Sequence, residues 1–187
     1  MFKEFKNISS LLLSVGFSSI GFIAAITVTV LAAREVSSNP LFLGFPNAVG
    51  VGGALLGTQM FYKISTKFSR LAALSMTFFI GALGGLILFF SLIVDSFILL
   101  MFGALILGFG QSATLQSRYA ASFVASKKFK ATALSLAVWF SVFGSVFGPR
   151  LVSVYSDYFD NLFNSELIVG YIVAMVGMLF ASASVLT

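Results

Sequence analysis

Six apolar stretches divide this sequence: Ser10–Ala33, Leu41–Tyr62, Leu71–Val94, Ser96–Ser117, Ala131–Pro149 and Leu167–Thr187. Each is 19–24 residues long. At about 1.5 Å of rise per residue, a helix of that length crosses the roughly 30 Å hydrocarbon core of a bilayer. Nearly all the basic residues fall in alternate gaps between the stretches. With a cytoplasmic N-terminus, Lys3, Lys6, Lys63, Lys67, Arg70, Arg118, Lys127, Lys128 and Lys130 lie inside and only Arg34 and Arg150 outside, nine against two. That asymmetry is what orients a polytopic membrane protein. The acids run the other way, Glu4 inside and Glu35, Asp95, Asp157, Asp160 and Glu166 outside, but they weigh little in the rule. The expectation is an all-α membrane protein of six transmembrane helices in one domain, residues 1–187, multi-pass in the plasma (inner) membrane.

Composition excludes most other classes. The chain is 59% hydrophobic and 9% charged, with a mean hydropathy of +1.06, whereas about a quarter of a soluble protein is charged. A net charge of +5 could suggest nucleic acid, but lysines facing an anionic leaflet account for it, and no nucleic-acid partner is expected. Cysteine and histidine are absent. Thiolate and imidazole metal sites, disulfides and the commonest general base are therefore missing, and neither an enzyme nor a bound cofactor is expected. The first stretch has a basic start, Met1–Asn7, and a small-residue run, Leu31-Ala32-Ala33, like a cleavage site. Its apolar run exceeds the roughly 7–15 residues of a signal core, so it reads as the first transmembrane helix.

The gaps predict a bundle of neighbouring helices. Arg34–Pro40 reads as an outer turn broken by Asn39-Pro40, and Val94-Asp95-Ser96 as a tight outer turn. Lys63–Arg70 and Arg118–Lys130 read as inner loops. Ser153–Glu166 reads as the longest outer loop, its aromatics at the headgroup level. Gly53 and Gly57, Gly81 and Gly85, and Gly144 and Gly148 are small-xxx-small pairs that let backbones approach; the abundance of glycine in membrane helices is the plainer account of each. The 23 phenylalanines read as lipid-facing and core filler.

Polar groups within the spans are few, and burying them costs several kcal/mol unless they are paired or hydrated. They are Asn47 and Gln59 in the second stretch and Gln111 and Gln116 in the fourth, with Thr27, Thr29 and Thr114. Gln111, about four turns into its helix, is the leading pore-facing candidate; the alternative is an amide bonded across to a neighbouring helix. No Asp or Glu lies inside a span, which disfavours an embedded proton carrier and a charged filter ring. Glu35 and Asp95 come nearest, just past outer helix ends.

The segment Gly108–Val152, GFGQSATLQSRYAASFVASKKFKATALSLAVWFSVFGSVFGPRLV, resembles the fourth and fifth helices of a major facilitator superfamily transporter, particularly its drug-efflux-like branch. Arg118, Tyr119, Ala120 and Ala121 match the end of the fourth helix; Lys127, Lys128 and Lys130 match the basic loop; Gly144, Gly148 and Pro149 match the Gly-x-x-x-Gly-Pro element that the family associates with antiporters. The Gly-x-x-x-Asp-Arg-x-Gly-Arg loop aligns Tyr62, Thr66, Lys67, Ser69 and Arg70, so only the basic positions survive, and the arginine expected in the fourth helix aligns at Ala104.

The resemblance implies the N-terminal six-helix half of a twelve-helix transporter, built as two three-helix inverted repeats. It implies a secondary transporter, or its N-terminal half, moving a small organic solute by alternating access, with efflux favoured. Gln111, Thr27 and Asn47 would then contact solute, and Gly144, Gly148, Pro149, Lys67, Arg70 and Arg118 would serve helix packing and gating. The basic three are also plain orientation residues. The chain ends at Thr187 without a basic flank and reads as cut short. The alternative is a truncated, non-transporting membrane protein or a half-size subunit acting through a partner. Expected partners are the lipid bilayer, the solute, and a second six-helix half or a homodimeric copy.

Overall fold

The computed structural model describes residues 2–37, 40–127, 129–163 and 165–186. Among them are six α-helices: α1 (Phe2–Val36), α2 (Phe45–Lys67), α3 (Arg70–Ile93), α4 (Phe97–Val124), α5 (Lys130–Phe163) and α6 (Ile168–Leu186). Five of these are long and apolar enough to cross a membrane. The exception is α2, whose 23 residues carry Asn47, Gln59, Lys63, Lys67 and four glycines.

Glycine decides which helices touch. In α2, a Cβ on Gly53 would overlap the Leu105 carbonyl of α4, and one on Gly57 would lie 2.8 Å from Phe109 Cα. In α5, a Cβ on Gly144 would run into Ser19 of α1, and one on Gly148 would lie 2.8 Å from the Ile20 carbonyl. In α3, Gly81 backs onto Gly110 of α4 and Gly85 onto Met175 of α6. All three pairs expected from sequence therefore mark backbone-to-backbone crossings. Gly21 meets Ala174, and Gly177 meets Phe17, where α1 packs on α6.

The result is a central α1–α4 pair. α1 is flanked by α5 and α6, α4 by α2 and α3, and α3 closes on α6. Phe78, Leu74, Leu88, Leu100, Tyr171 and Met178 fill the interior without exposure. Ser75 and Ser182 share a 2.9 Å hydrogen bond between α3 and α6, and the Tyr171 hydroxyl donates to Thr29 Oγ1 at 3.5 Å. Phe61 and Phe78 are the buried phenylalanines among the described residues; most others point outward.

Charge separates along the bundle axis. At one end Arg70 lies 4.7 Å from the Phe123 ring centroid and Lys130 5.8 Å. At the other, Glu35 accepts from Ser165 at 3.4 Å and feels the charges of Asp95, Asp160 and Glu166. These are the basic and acidic ends below.

Several boundaries differ from the sequence expectation. The Arg34–Pro40 turn begins only after Val36, and Asn39 lies outside the described residues. α2 starts at Phe45, with Pro46 in its first turn, because Pro40–Phe42 form a separate 3-10 turn. Of Lys63–Arg70, only Phe68 and Ser69 are non-helical, Ser69 capping α3 by accepting from Ala72 N–H at 3.1 Å. The loop expected from Arg118 shrinks to 125–129, because α4 continues through the buried Ala120 and Ala121; Lys128 lies outside the described residues. The expected Ser153–Glu166 loop is largely helix. α5 runs through Pro149 to Phe163, where Phe163 rings meet Phe159 and Phe89 of α3 at 6.1 and 5.5 Å. Thr187 is likewise outside the described residues.

The Val94-Asp95-Ser96 turn stands as expected, and its geometry is specific. Asp95 adopts a φ of 49°. Ser96 N–H bonds to the Ser91 carbonyl at 2.9 Å and Asp95 N–H to the Leu92 carbonyl at 3.4 Å, which is the Schellman closure of a helix. Ser96 then caps α4 through Leu99 N–H at 3.4 Å.

Candidate functional site

On α4, Gln111, Thr114 and Arg118 follow one another at three and four residues, a spacing that puts them on one helix face. Ser19, Phe22, Ile26 and Thr29 do the same on α1. The two faces meet over a pair of cavities. The smaller, about 50 Å³, lies toward the acidic end and is lined by Thr29, Asn47, Gly50, Leu107 and Gln111 with Phe22. The larger, about 180 Å³, lies toward the basic end and is lined by Ser19, Gln111, Thr114, Arg118, Ser141 and Ser145 with Phe22. Phe22 and Gln111 belong to both. α6 packs against the opposite face of α1, through Gly21 and Val28, so these openings lie on the side that α6 leaves free.

The polar groups there divide into two kinds. Thr29, Thr114, Ser141 and Ser145 donate back to carbonyls one turn earlier, at 2.7, 3.0, 3.0 and 3.3 Å. Ser19 Oγ and Arg118 Nε are buried with no partner among the described residues. The Asn47 and Gln111 amides likewise make no hydrogen bond among them, so Gln111 is not an interhelical clasp. No Asp or Glu lines either cavity, and no three metal-ligating side chains gather among the described residues. The surface is thus rich in donors and poor in negative charge. Among the described residues, none of the lining groups pairs a nucleophile with a base.

The sequence candidates are distributed unevenly over this geometry. Gln111 and Asn47 share the smaller cavity. Thr27 does not join them: it is exposed and donates to the Ile23 carbonyl at 2.7 Å, while Thr29 faces the cavity instead. Gly144 and Gly148 press on α1, with the partly buried Pro149 next in the chain. Lys67 is exposed at the end of α2, and Arg70 covers Phe123. Arg118 leaves the loop assigned to it and lines the larger cavity from within α4. Sequence reasoning passed over Ser19, Ser141 and Ser145. Their signal was faint: Ser141 and Ser145 stand one turn apart around Gly144, on the face that meets α1.

No family model and no solved structure matches the chain. Two relatives from Bacillus subtilis, both named as uncharacterized MFS-type transporters, do: YdeG is 35% identical over 76% of the chain, and YddS 32% identical over 84%. The riboflavin transporter RfnT of Brucella anthropi is 29% identical over 65%. The chain spans about a third of the length of these curated relatives, 33%, 36% and 31% respectively. These similarities support membership of the major facilitator superfamily.

Proposed function

We propose that this chain forms the N-terminal six-helix half of a secondary transporter that moves a small organic solute by alternating access. The supporting observation is the line of unpaired polar groups, Asn47, Gln111, Ser19 and Arg118, along adjoining cavities on one face of the bundle. Unsatisfied polar groups at membrane depth are costly unless a cavity hydrates them or a ligand engages them. On this reading Asn47 and Gln111 contact solute, and Thr29 takes the place that Thr27 held in the sequence reading.

The pairing of helices fits two three-helix repeats. α1 meets α6 as α4 meets α3, and α1 meets α5 as α4 meets α2. The excess of basic residues at one end supports a cytoplasmic position for that end and for the N-terminus. The Gly144-x-x-x-Gly148-Pro149 element and the drug-efflux-like resemblance favour efflux. Arg70 and Lys130 on Phe123 then form an inner-gate contact, and Lys67, exposed at the end of α2, serves the same end of the bundle. Val51 and Leu55 on α2, and Trp139, Phe143 and Phe147 on α5, are exposed. They offer a surface for a second six-helix half or a second copy.

The test is flux in membrane vesicles carrying the chain, alone and together with a second six-helix half, across a panel of small organic solutes. Gln111→Leu should cut flux at least tenfold. Unchanged flux in that variant would remove the central assignment. Because the chain has no cysteine, single cysteines at Lys63 and Ser165 report orientation by labelling from outside, which should reach only the second.

A further inference from the structure

Arg118 sits inside α4, six residues before the helix ends, and its side chain lines the larger cavity. A guanidinium carries five N–H donors and no acceptor. Its Nε is buried without a partner, and Arg118 makes no ion pair or hydrogen bond among the described residues. No carboxylate lines the cavity to balance it. Ser19 Oγ, also buried and unpartnered, lines the same space from α1, and Gln111, whose amide makes no hydrogen bond among the described residues, lines it from α4. Arg118 is half-buried, and a partly desolvated cation with idle donors beside it favours an anion, because an uncompensated charge in such a place is costly. The remaining wall includes Phe22, Ile23 and Leu115.

The geometry points to an organic carboxylate as the ligand of this cavity, its anionic head on the Arg118 fork and Ser19 and its apolar body against Phe22 and Leu115. The guanidinium fork matches a carboxylate with two parallel bonds. The apolar wall selects against a bare inorganic anion, which would gain nothing from Phe22 or Leu115. This inference rests on the reading of the cavities as a solute path and names the solute's class.

Benzoate is the probe, with benzamide as its neutral counterpart and inorganic phosphate as competitor. Binding is measured on the purified chain in lipid nanodiscs, with helical content and thermal unfolding recorded for every variant. Benzoate should bind saturably and benzamide at least tenfold more weakly, with phosphate at equal concentration not competing. Arg118→Gln should weaken benzoate at least about tenfold, the loss expected for a charge-assisted pair. Arg118→Lys, which keeps the charge and loses the fork, should fall between. Ser19→Ala should weaken benzoate severalfold, and it decides the matter with the benzamide comparison if Arg118→Gln fails to fold. Absence of benzoate binding, equal binding of benzamide, competition by phosphate, or binding indifferent to both Arg118→Gln and Ser19→Ala would each overturn the assignment. The two readings fail separately. Arg118-dependent binding without any flux removes transport and leaves the site, whereas carboxylate flux untouched by Arg118→Gln removes the site and leaves transport.

Discussion

Gly144 of α5 rests on Ser19 of α1 with no room for a methyl group between them. Gly144→Ala should therefore push α5 away from a cavity-lining residue and lower stability by about 1–3 kcal/mol, the usual cost of overpacking. Gly52→Ala is the control, because its added Cβ meets nothing within 4 Å. That change should be neutral or stabilise by up to about 1 kcal/mol. Thermal unfolding in detergent micelles checks both. Equal effects at the two sites would mean that the α1–α5 crossing is looser than it stands.

Ser75 and Ser182 tie α3 to α6 twice. Their hydroxyls lie 2.9 Å apart, and Ser182 also reaches the Ser75 carbonyl at 2.9 Å. A double-mutant cycle with Ser75→Ala and Ser182→Ala should give a coupling of about 0.6 kcal/mol, rising to at most about 1.7. A coupling of zero would assign the two hydroxyls to their own helices.

Asp95 holds a left-handed backbone between two antiparallel helices. Asp95→Gly should stabilise the turn by about 1 kcal/mol, and Asp95→Val should destabilise it by about 1–2 kcal/mol, since a β-branched side chain resists positive φ. Reversed signs in unfolding experiments would show that the carboxylate contributes more than the backbone costs.

Pro149 stands inside α5 with helix on both sides. It has no N–H to give the Ser145 carbonyl, so Pro149→Ala should strengthen the helix by up to about 3 kcal/mol. If the weakened turn serves alternating access, solute flux falls in the same variant while benzoate binding persists. Flux that survives the substitution would confine Pro149 to packing.

The helices were readable because a membrane imposes one length on apolar runs, and all three glycine pairs were readable because close approach needs small residues. Helix ends were harder. Arg118 looked like the start of a loop, and Ser153–Phe163 like loop, because hydropathy marks where lipid contact stops and not where backbone hydrogen bonding stops. α4 and α5 carry on past that line, held by Ala120 and Ala121 in one case and by Phe159 and Phe163 in the other. Thr27 and Thr29 part for a different reason. Two residues on a helix point about 200° apart, and only the packing of α6 against Gly21 and Val28 fixes which of them faces the cavity. Gln111 was legible as a lone amide in an apolar run. The serines around it were not, since serine recurs throughout the chain and only tertiary contact distinguishes Ser19 from the rest.

An aromatic ring on α1, Phe22, and an amide on α4, Gln111, line both cavities. Both are side chains, on helices that glycine crossings pack closely against their neighbours. Side chains of this kind reorient in picoseconds to nanoseconds where they are exposed, against microseconds to milliseconds for concerted helix movement. On the reading of the cavities as a solute path, passage from one to the other would turn on rotamers of these two side chains. Its throughput would respond to the bulk of residues 22 and 111 well before it responded to anything done to the scaffold.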